Sequence, residues 1–487
     1  MERPTQTLHR LTSVGAFDLG HEWEPPVSDS RVLMDLEVND LSRFPWPYKR
    51  YPASVGRIEL PRNLAVTSAP AVAVLAGTAK VRPAQLDVYQ LGRLLFLSVG
   101  VVRTSRRPHG VHRFRAAGSA GGRFPLEVYV AAPPGTVTGL AAGVYSYEPL
   151  DHALLQVGPP PRGNGGASII VTGVPWRTGW RYRERGFRHV YWDAGTMLAQ
   201  LLAAADSAGV PADLYSSIPD KETAAMVGAD RVHEWPVAVV ALGHRPPALE
   251  PGGRAVPGQV DAEPLEFPLV TAAQRAGDVD VLGSPWPRGE AVVPEGGADT
   301  SPTVEAVIRA RGSQRRMDPA GRLPGALYRT CLTLALRGVT IPHRAAVRGI
   351  DGVDGGLYRW PDLDTPTRGG DLGPELYELC MQQDLARDAA FVAIAAADIG
   401  ALDDHQYREA HLAAGLASGR LHLLAYGLGA SASGMTFVDG AVPAFLGEPL
   451  SGILCTCVGV PEYRSRPGGA PGEPVEVGRV VPRMSSS

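Results

Sequence analysis

The feature that most constrains this chain is that it repeats itself. Arg188, Gly195 and Gly209 have counterparts in Arg408, Gly415 and Gly429, each 220 positions further on. Asp220 and Gly228 match Asp439 and Gly447 at an offset of 219, Gly243 matches Gly459 at 216, and Gly143-Val144-Tyr145 matches Gly356-Leu357-Tyr358 at 213. A slowly drifting offset is what small insertions and deletions leave in a tandem duplication. Two related domains in one chain pack most simply as a pseudo-symmetric dimer. The near-apolar stretches 194–208 and 414–428 then face one another as central helices, since each alone would expose a large apolar patch. The length of 487 residues agrees, being too great for one ordinary core.

Around that frame the chain divides into an N-terminal arm (1–50), a first domain (51–245), a connection (246–303), a second domain (304–466) and a flexible tail (467–487). The arm is polar and ends in the Pro-punctuated Phe44-Pro45-Trp46-Pro47-Tyr48, which reads as extended chain. Pro246-Pro247, Pro251-Gly252-Gly253, Pro285-Trp286-Pro287 and Pro294-Glu295-Gly296-Gly297 give the connection little periodicity, and it reads as partly extended. Ala84, Val88, Leu91, Leu95 and Val99 recur at helical spacing, while Val128-Tyr129-Val130, Gly143–Tyr147 and Ile169–Thr172 read as strands. The fold class is α+β.

Composition removes several functions. A formal net charge of −3 makes no electrostatic case for nucleic acid or an anionic membrane. No apolar run reaches the roughly 18 residues of a membrane span, and Met1–Gly20 lacks a signal-peptide core, so a cytoplasmic protein is expected. Lys49, Lys80 and Lys221 are the only lysines, which leaves few for any catalytic role. Cys331, Cys380, Cys455 and Cys457 lack the paired spacing of a zinc site, and Cys455 and Cys457 read as buried thiols on one face of a strand. The histidines, His109, His112, His189 and His411 among them, form no ligand-spaced set, and no metal is expected.

Three stretches could carry chemistry. Arg309-Ala310-Arg311-Gly312-Ser313-Gln314-Arg315 sets guanidinium groups at 311 and 315 with a hydroxyl at 313, a pattern suited to a phosphate monoester, although a basic stretch beside a helix is also an ordinary solvated face. The loop Gly118-Ser119-Ala120-Gly121-Gly122 allows close backbone approach to a ligand, or simply joins two elements. Trp176 to Arg188 is dense in aromatic rings and guanidinium groups, either a surface cation–π patch or the wall of a site for a flat ligand. Competing motifs fail on spacing: Ala432 stands where a dinucleotide fingerprint needs Gly, Gly77-Thr78-Ala79-Lys80 lacks the P-loop Ser or Thr, and Ser433 spoils a Gly-x-Ser-x-Gly around Ser431.

Taken in order, the Tyr48-Lys49-Arg50-Tyr51 arm, the Gly118–Glu127 loop, the Gly143–Tyr147 strand, the Arg181–Arg188 segment and the Arg311–Arg315 motif resemble the nitroreductase-like flavoproteins, most closely their azoline dehydrogenase branch. The resemblance covers about 45–245 and 304–466. It implies two tandem nitroreductase-like domains and FMN at their interface. Phosphate-side residues would be Arg311, Ser313 and Arg315 with Arg464 and Arg466, the loop containing Ser431, Ser433 and Gly434 comes from the same half, and Gly118, Ser119 and Gly121 come from the other. The first half lacks the arginine–serine motif before its helix, and the second half lacks the Ser-x-Gly loop near Gly338–Pro342, which leaves parts for one FMN per chain.

In that branch a Lys-Tyr pair stands where this chain has Arg181-Tyr182. Arg cannot serve as a base, so the resemblance points to Tyr182 as the catalytic base with Arg181 as electrostatic support. The activity implied is FMN-dependent oxidation of thiazolines or oxazolines to thiazoles or oxazoles in a ribosomally made peptide, with an azoline-containing precursor peptide as substrate and a cyclodehydratase as partner. A generic NAD(P)H-dependent flavin reductase and a non-catalytic flavin-binding scaffold are the alternatives.

Overall fold

The computed structural model describes residues 2–15, 40–107, 110–295 and 300–483. His109, residues 16–39 of the arm, Gly296-Gly297 of the connection and residues 484–487 of the tail lie outside the described residues.

The duplication is visible in the sheets. In the first half the strands run in the order Gly56–Glu59, Ala153–Gly158, Gly143–Glu148, Leu126–Ala132, Ala167–Gly173, Trp235–Leu242, Ala212–Tyr215, all antiparallel to their neighbours. In the second half the order Asp362–Gly369, Gly356–Arg359, His343–Val347, Phe391–Ala397, Ser451–Gly459, Ser431–Met435 repeats the last six of these positions, again antiparallel throughout. Each half also has one long helix between its corresponding strands, Gly186–Ala208 and Asp404–Gly427. The second starts on a capping box, in which Asp403 accepts from the Gln406 N–H and the Gln406 side chain accepts from the Asp403 N–H. The first ends on Gly209 in the left-handed region at φ 68°, a conformation that favours Gly.

The two long helices pack on one another as the repeat requires, and Gly195 and Gly415 are the point of contact. A Cβ on Gly195 would lie 2.3 Å from the Leu412 carbonyl oxygen, and one on Gly415 would lie 2.4 Å from that of Trp192. Backbone meets backbone there, so neither position has room for a side chain. The chain is therefore two tandem α+β units packed as a pseudo-symmetric dimer about long central helices. Cys455 and Cys457 are buried free thiols on the strand Ser451–Gly459, beneath which Cys380 also lies buried.

Three segments differ from the expected extended or flexible chain. Residues Pro4–Leu11 of the arm form a helix, with Pro4 in its first turn, and Thr5 anchors it to Asp404 through its hydroxyl at 2.7 Å and its N–H at 3.0 Å. The connection contains the helix Pro268–Ala276, which buries Val270 and Ala273, a short apolar stripe hidden among the Pro and Gly punctuation. The tail residues Val475–Glu476 pair in parallel with Val101–Arg107, and the Gly468 N–H donates to the Arg309 carbonyl at 2.7 Å. The aromatic segment Trp176–Arg188 is no surface patch: Trp176, Trp180 and Tyr182 are buried in the helix Pro175–Tyr182. Among the described residues no helix is long and apolar enough to cross a membrane.

Candidate functional site

The helix Val304–Ala310, capped by the Thr303 hydroxyl, ends at Arg311, after which the chain is extended through Gln314. This run lies along the edge strand Ser431–Met435, where the Gln314 N–H donates to the Ala432 carbonyl at 3.0 Å. Arg103 of the first half holds it from the other side, donating to the carbonyls of Arg311 at 3.0 Å, Arg309 at 2.5 Å and Arg466 at 2.8 Å. One guanidinium group thus ties the Arg311 motif and the later arginines to the opposite domain.

Arg311 itself is buried. Its Nε and Nη2 donate to the Ala116 carbonyl, and its Nη1 has no hydrogen-bond partner among the described residues. Burial, and then the neighbouring Arg103 guanidinium, bring Arg311 down to about 10, which leaves it a cation at neutral pH. The backbone at Gly118 comes close to it: a Cβ built there would lie 3.4 Å from Arg311 Nη1 and 3.6 Å from Ser313 Oγ. The motif of one half and the glycine loop of the other therefore converge on one place. Beside it a small cleft is lined by Gly118, Ser119, Phe124, Asp193 and Met197 among others, all of the first half.

The other expected residues are distributed unevenly around this place. Ser313 and Arg315 have exposed side chains, and the Arg315 N–H donates to the Tyr463 hydroxyl at 3.1 Å. Arg464 and Arg466 are exposed on the same side, Arg466 donating to the Glu476 carbonyl at 3.4 Å. The Ser431 hydroxyl donates to the Gly459 carbonyl at 3.0 Å, so it is committed to the sheet; Ser433 is buried and Gly434 exposed on the same strand. Gly121 adopts φ 58°, and a Cβ there would lie 2.6 Å from the Tyr182 hydroxyl and 3.2 Å from Arg181 Cδ. Tyr182 thus sits behind Gly121, stacked on His189 with ring centroids 4.1 Å apart, rather than lining the cleft. Arg181 is exposed, its guanidinium 5.6 Å from the Tyr182 ring centroid.

Residues that sequence reasoning did not single out complete the site. Arg103, Asp193, His422 and Tyr426 were hidden in ordinary strand and helix patterns. His422 is buried near the motif, where burial and then the Arg311 guanidinium hold it neutral at about 3. Tyr426 approaches Gly312, whose Cβ position lies 3.8 Å from the phenol oxygen.

The pseudo-symmetric place in the first half is differently furnished. There Gly77 follows the helix Ala71–Ala76 as Arg311 follows Val304–Ala310, and the connection lies along the strand Ala212–Tyr215. The Trp286 N–H donates to the Leu214 carbonyl at 2.6 Å, as Gln314 does to Ala432. The Val292 N–H donates to the Ala76 carbonyl at 3.0 Å, and Arg288 pairs with Asp206 at 3.0 Å. Arg337 crowds Gly77, where a Cβ would lie 2.6 Å from Nη2, and a Cβ on Gly338 would lie 2.0 Å from the Pro287 carbonyl oxygen. Chain atoms fill this position.

No protein-family model matches the chain. The crystal structure of a provisionally named nitroreductase from Anabaena variabilis superposes with a TM-score of 0.71 at 22% identity, covering 95% of this chain and 100% of that one. A provisionally named nitroreductase of Methanocaldococcus jannaschii is 26% identical over 174 residues, 33% of this chain and 82% of that protein. The Escherichia coli microcin synthetase complex is a weaker likeness, with a TM-score of 0.29 at 19% identity over 50% of this chain and 87% of that one. The fold is that of the nitroreductase-like proteins.

Proposed function

We propose that this chain is an FMN-dependent oxidoreductase that holds one FMN between its halves and oxidises thiazoline or oxazoline rings of a precursor peptide to thiazoles or oxazoles. The observation that carries the cofactor reading is the buried Arg311 guanidinium, whose unpartnered Nη1 faces the Gly118 loop of the other half. A buried cation with no carboxylate beside it calls for an anion, and a phosphate monoester fits a site that also offers Ser313, Arg315, Arg464 and Arg466. The filled pseudo-symmetric position supports one FMN per chain.

Bound FMN would supply hydride acceptance from the ring carbon next to the departing proton. The residues of this chain do the rest. Gly118 and Gly121 would let the loop backbone approach the bound group, the missing side chains leaving room for Arg311 at one and for Tyr182 at the other. The strand Ser431–Met435 supports the Arg311 run through the Gln314–Ala432 hydrogen bond, and the buried Met197 gives the cleft an apolar wall. Tyr182, behind Gly121, is the proposed proton acceptor, with the Arg181 guanidinium 5.6 Å from its ring centroid as electrostatic support. The azoline peptide and a cyclodehydratase partner follow from the resemblance of the Arg181-Tyr182 segment and its companions.

The generic reductase reading draws on one observation, the Arg at 181 in place of a lysine. One assay separates them. The purified protein is offered an azoline-containing peptide under air, and loss of two mass units is followed for wild type and Tyr182→Phe. Peptide oxidation that slows in Tyr182→Phe is the expected result. Fast NADPH oxidation with nitroaromatics and an untouched peptide would replace this reading with the reductase, and an unchanged rate in Tyr182→Phe would remove Tyr182 from the chemistry.

A further inference from the structure

Asp193 lies on the central helix Gly186–Ala208 and lines the cleft, buried, facing the Gly118 loop. Its Oδ2 accepts the Ser119 hydroxyl, and its Oδ1 accepts the Ala120 N–H at 2.9 Å. The Phe124 N–H donates to Ser119 Oγ at 2.8 Å. A serine hydroxyl has one hydrogen and two lone pairs. With the hydrogen taken by Asp193 and one lone pair by Phe124, what remains for a ligand is one lone pair.

We infer that Asp193 is a positioning residue that sets the polarity of the glycine loop: by taking the Ser119 hydrogen it presents Ser119 Oγ to the cleft as an acceptor, complementary to an N–H donor of the bound group. This rests on the reading that the cleft receives a flavin, whose imide is such a donor. Replacing the carboxylate by an amide reverses the arrangement. An Asn at 193 keeps its oxygen on the Ala120 N–H but must donate to Ser119 Oγ, which turns the serine hydrogen toward the cleft.

The same geometry makes the loop sensitive to protons. Burial raises the Asp193 carboxyl to about 7, against the Ser119 and Ala120 hydrogen bonds that favour its anion. Once protonated, the carboxyl donates to Ser119 and the serine hydrogen is displaced. The guanidinium groups around it stay cations and the neighbouring imidazoles stay neutral over the same range. Arg115, on the cleft wall, donates to the carbonyls of Leu126 at 2.6 Å and Pro47 at 3.1 Å, and Arg311 lies across Gly118. Burial holds His189, one turn earlier on the helix, at about 3 and His112, beside Gly122, at about 4; Tyr182 stands behind Gly121.

The test is FMN affinity, read by quenching of flavin fluorescence from pH 5.5 to 8.5 on the full chain, for wild type, Asp193→Asn, Ser119→Ala and the double variant. Wild type should bind about tenfold more weakly at pH 5.5 than at pH 8 beyond the change seen in Asp193→Asn, which retains the titration of the FMN phosphate itself. Asp193→Asn should lose about tenfold at pH 8, Ser119→Ala should lose the same pH step, and the double variant should be no worse than the worse single, because both act through one hydroxyl. Asp193→Asn binding within twofold of wild type at every pH, or effects that add in the double variant, would overturn the role of Asp193 while leaving the flavin reading intact. Wild type that binds no FMN at any pH would overturn the flavin reading, and the Asp193 role with it.

Discussion

Arg188 of the first half donates to Asp439 of the second at 2.6 Å, and Arg408 of the second half reaches back to Asp220 of the first at 3.1 Å. Both members of each pair are matched by the internal repeat, so one ion pair has been kept twice, related by the pseudo-two-fold axis. These are buried charges at the seam between the domains, and removing one partner of such a pair costs about 3–5 kcal/mol.

For Asp439 the consequence is a pH dependence of stability. Burial pushes its carboxyl up, but Arg185 and Arg188 together outweigh that and hold it at about 2. A carboxyl depressed on folding stabilises above its unfolded value near 4 and loses that contribution as pH falls toward 2. Melting temperature should therefore drop steeply between pH 4 and pH 2 in wild type. Asp439→Asn should start several degrees lower at pH 7 and show a shallower fall, a difference scanning calorimetry reads directly.

The helix crossing offers a second test. Because the Cβ positions of Gly195 and Gly415 would fall against backbone oxygens, Gly195→Ala and Gly415→Ala should each lose about 3 kcal/mol of stability despite the higher helix propensity of Ala. Urea unfolding of the two variants checks this. Wild-type stability in either crossing variant would mean that the helices do not meet at these glycines.

The long-range architecture was legible because duplication writes it twice: Gly195 meets its match Gly415, and the matched pairs Arg188/Arg408 and Asp220/Asp439 meet crosswise at the seam, Arg188 on Asp439 and Arg408 on Asp220. The convergence of Arg311 and Ser313 with Gly118 was legible for a related reason, since each half keeps what the other has lost. Asp193 and Arg103 were not legible. Asp193 interrupts an apolar helix by a single polar residue, and Arg103 alternates in a strand as any surface Arg would; only the fold brings their polar atoms to the carbonyls and hydroxyl they satisfy. The helices Pro4–Leu11 and Pro268–Ala276 were missed because short amphipathic turns between Pro-rich stretches derive their stability from docking rather than from propensity.

Loss of the buried guanidinium should show in cofactor content. Arg311→Ala removes a charge-assisted contact worth about 1.5–3 kcal/mol, or about 10- to 150-fold in FMN affinity. Arg315 is exposed, so Arg315→Ala alone should cost less, and the double variant should purify nearly colourless while wild type carries one flavin per chain by absorbance at 450 nm. Full flavin in the double variant would move the phosphate elsewhere.

The last prediction concerns the connection. Residues Trp286–Val292 lie along the strand Ala212–Tyr215 and beside Ala76, the place that the Arg311 run takes in the other half. Replacing 285–292 by a Gly-Ser stretch of equal length removes Trp286, which packs against the main core, and the Arg288–Asp206 pair. Stability should fall by about 2 kcal/mol, chiefly from the lost indole. The flavin ratio should nevertheless stay at one per chain. Opening the position does not make it a phosphate site, because Gly77 stands where Arg311 stands in the other half, and no guanidinium motif follows it. Absorbance and protein concentration on the purified variant decide the matter. A ratio of two would show that the connection had been excluding a second, competent site, and a ratio near zero with the fold intact would show that this segment supports the site in the other half.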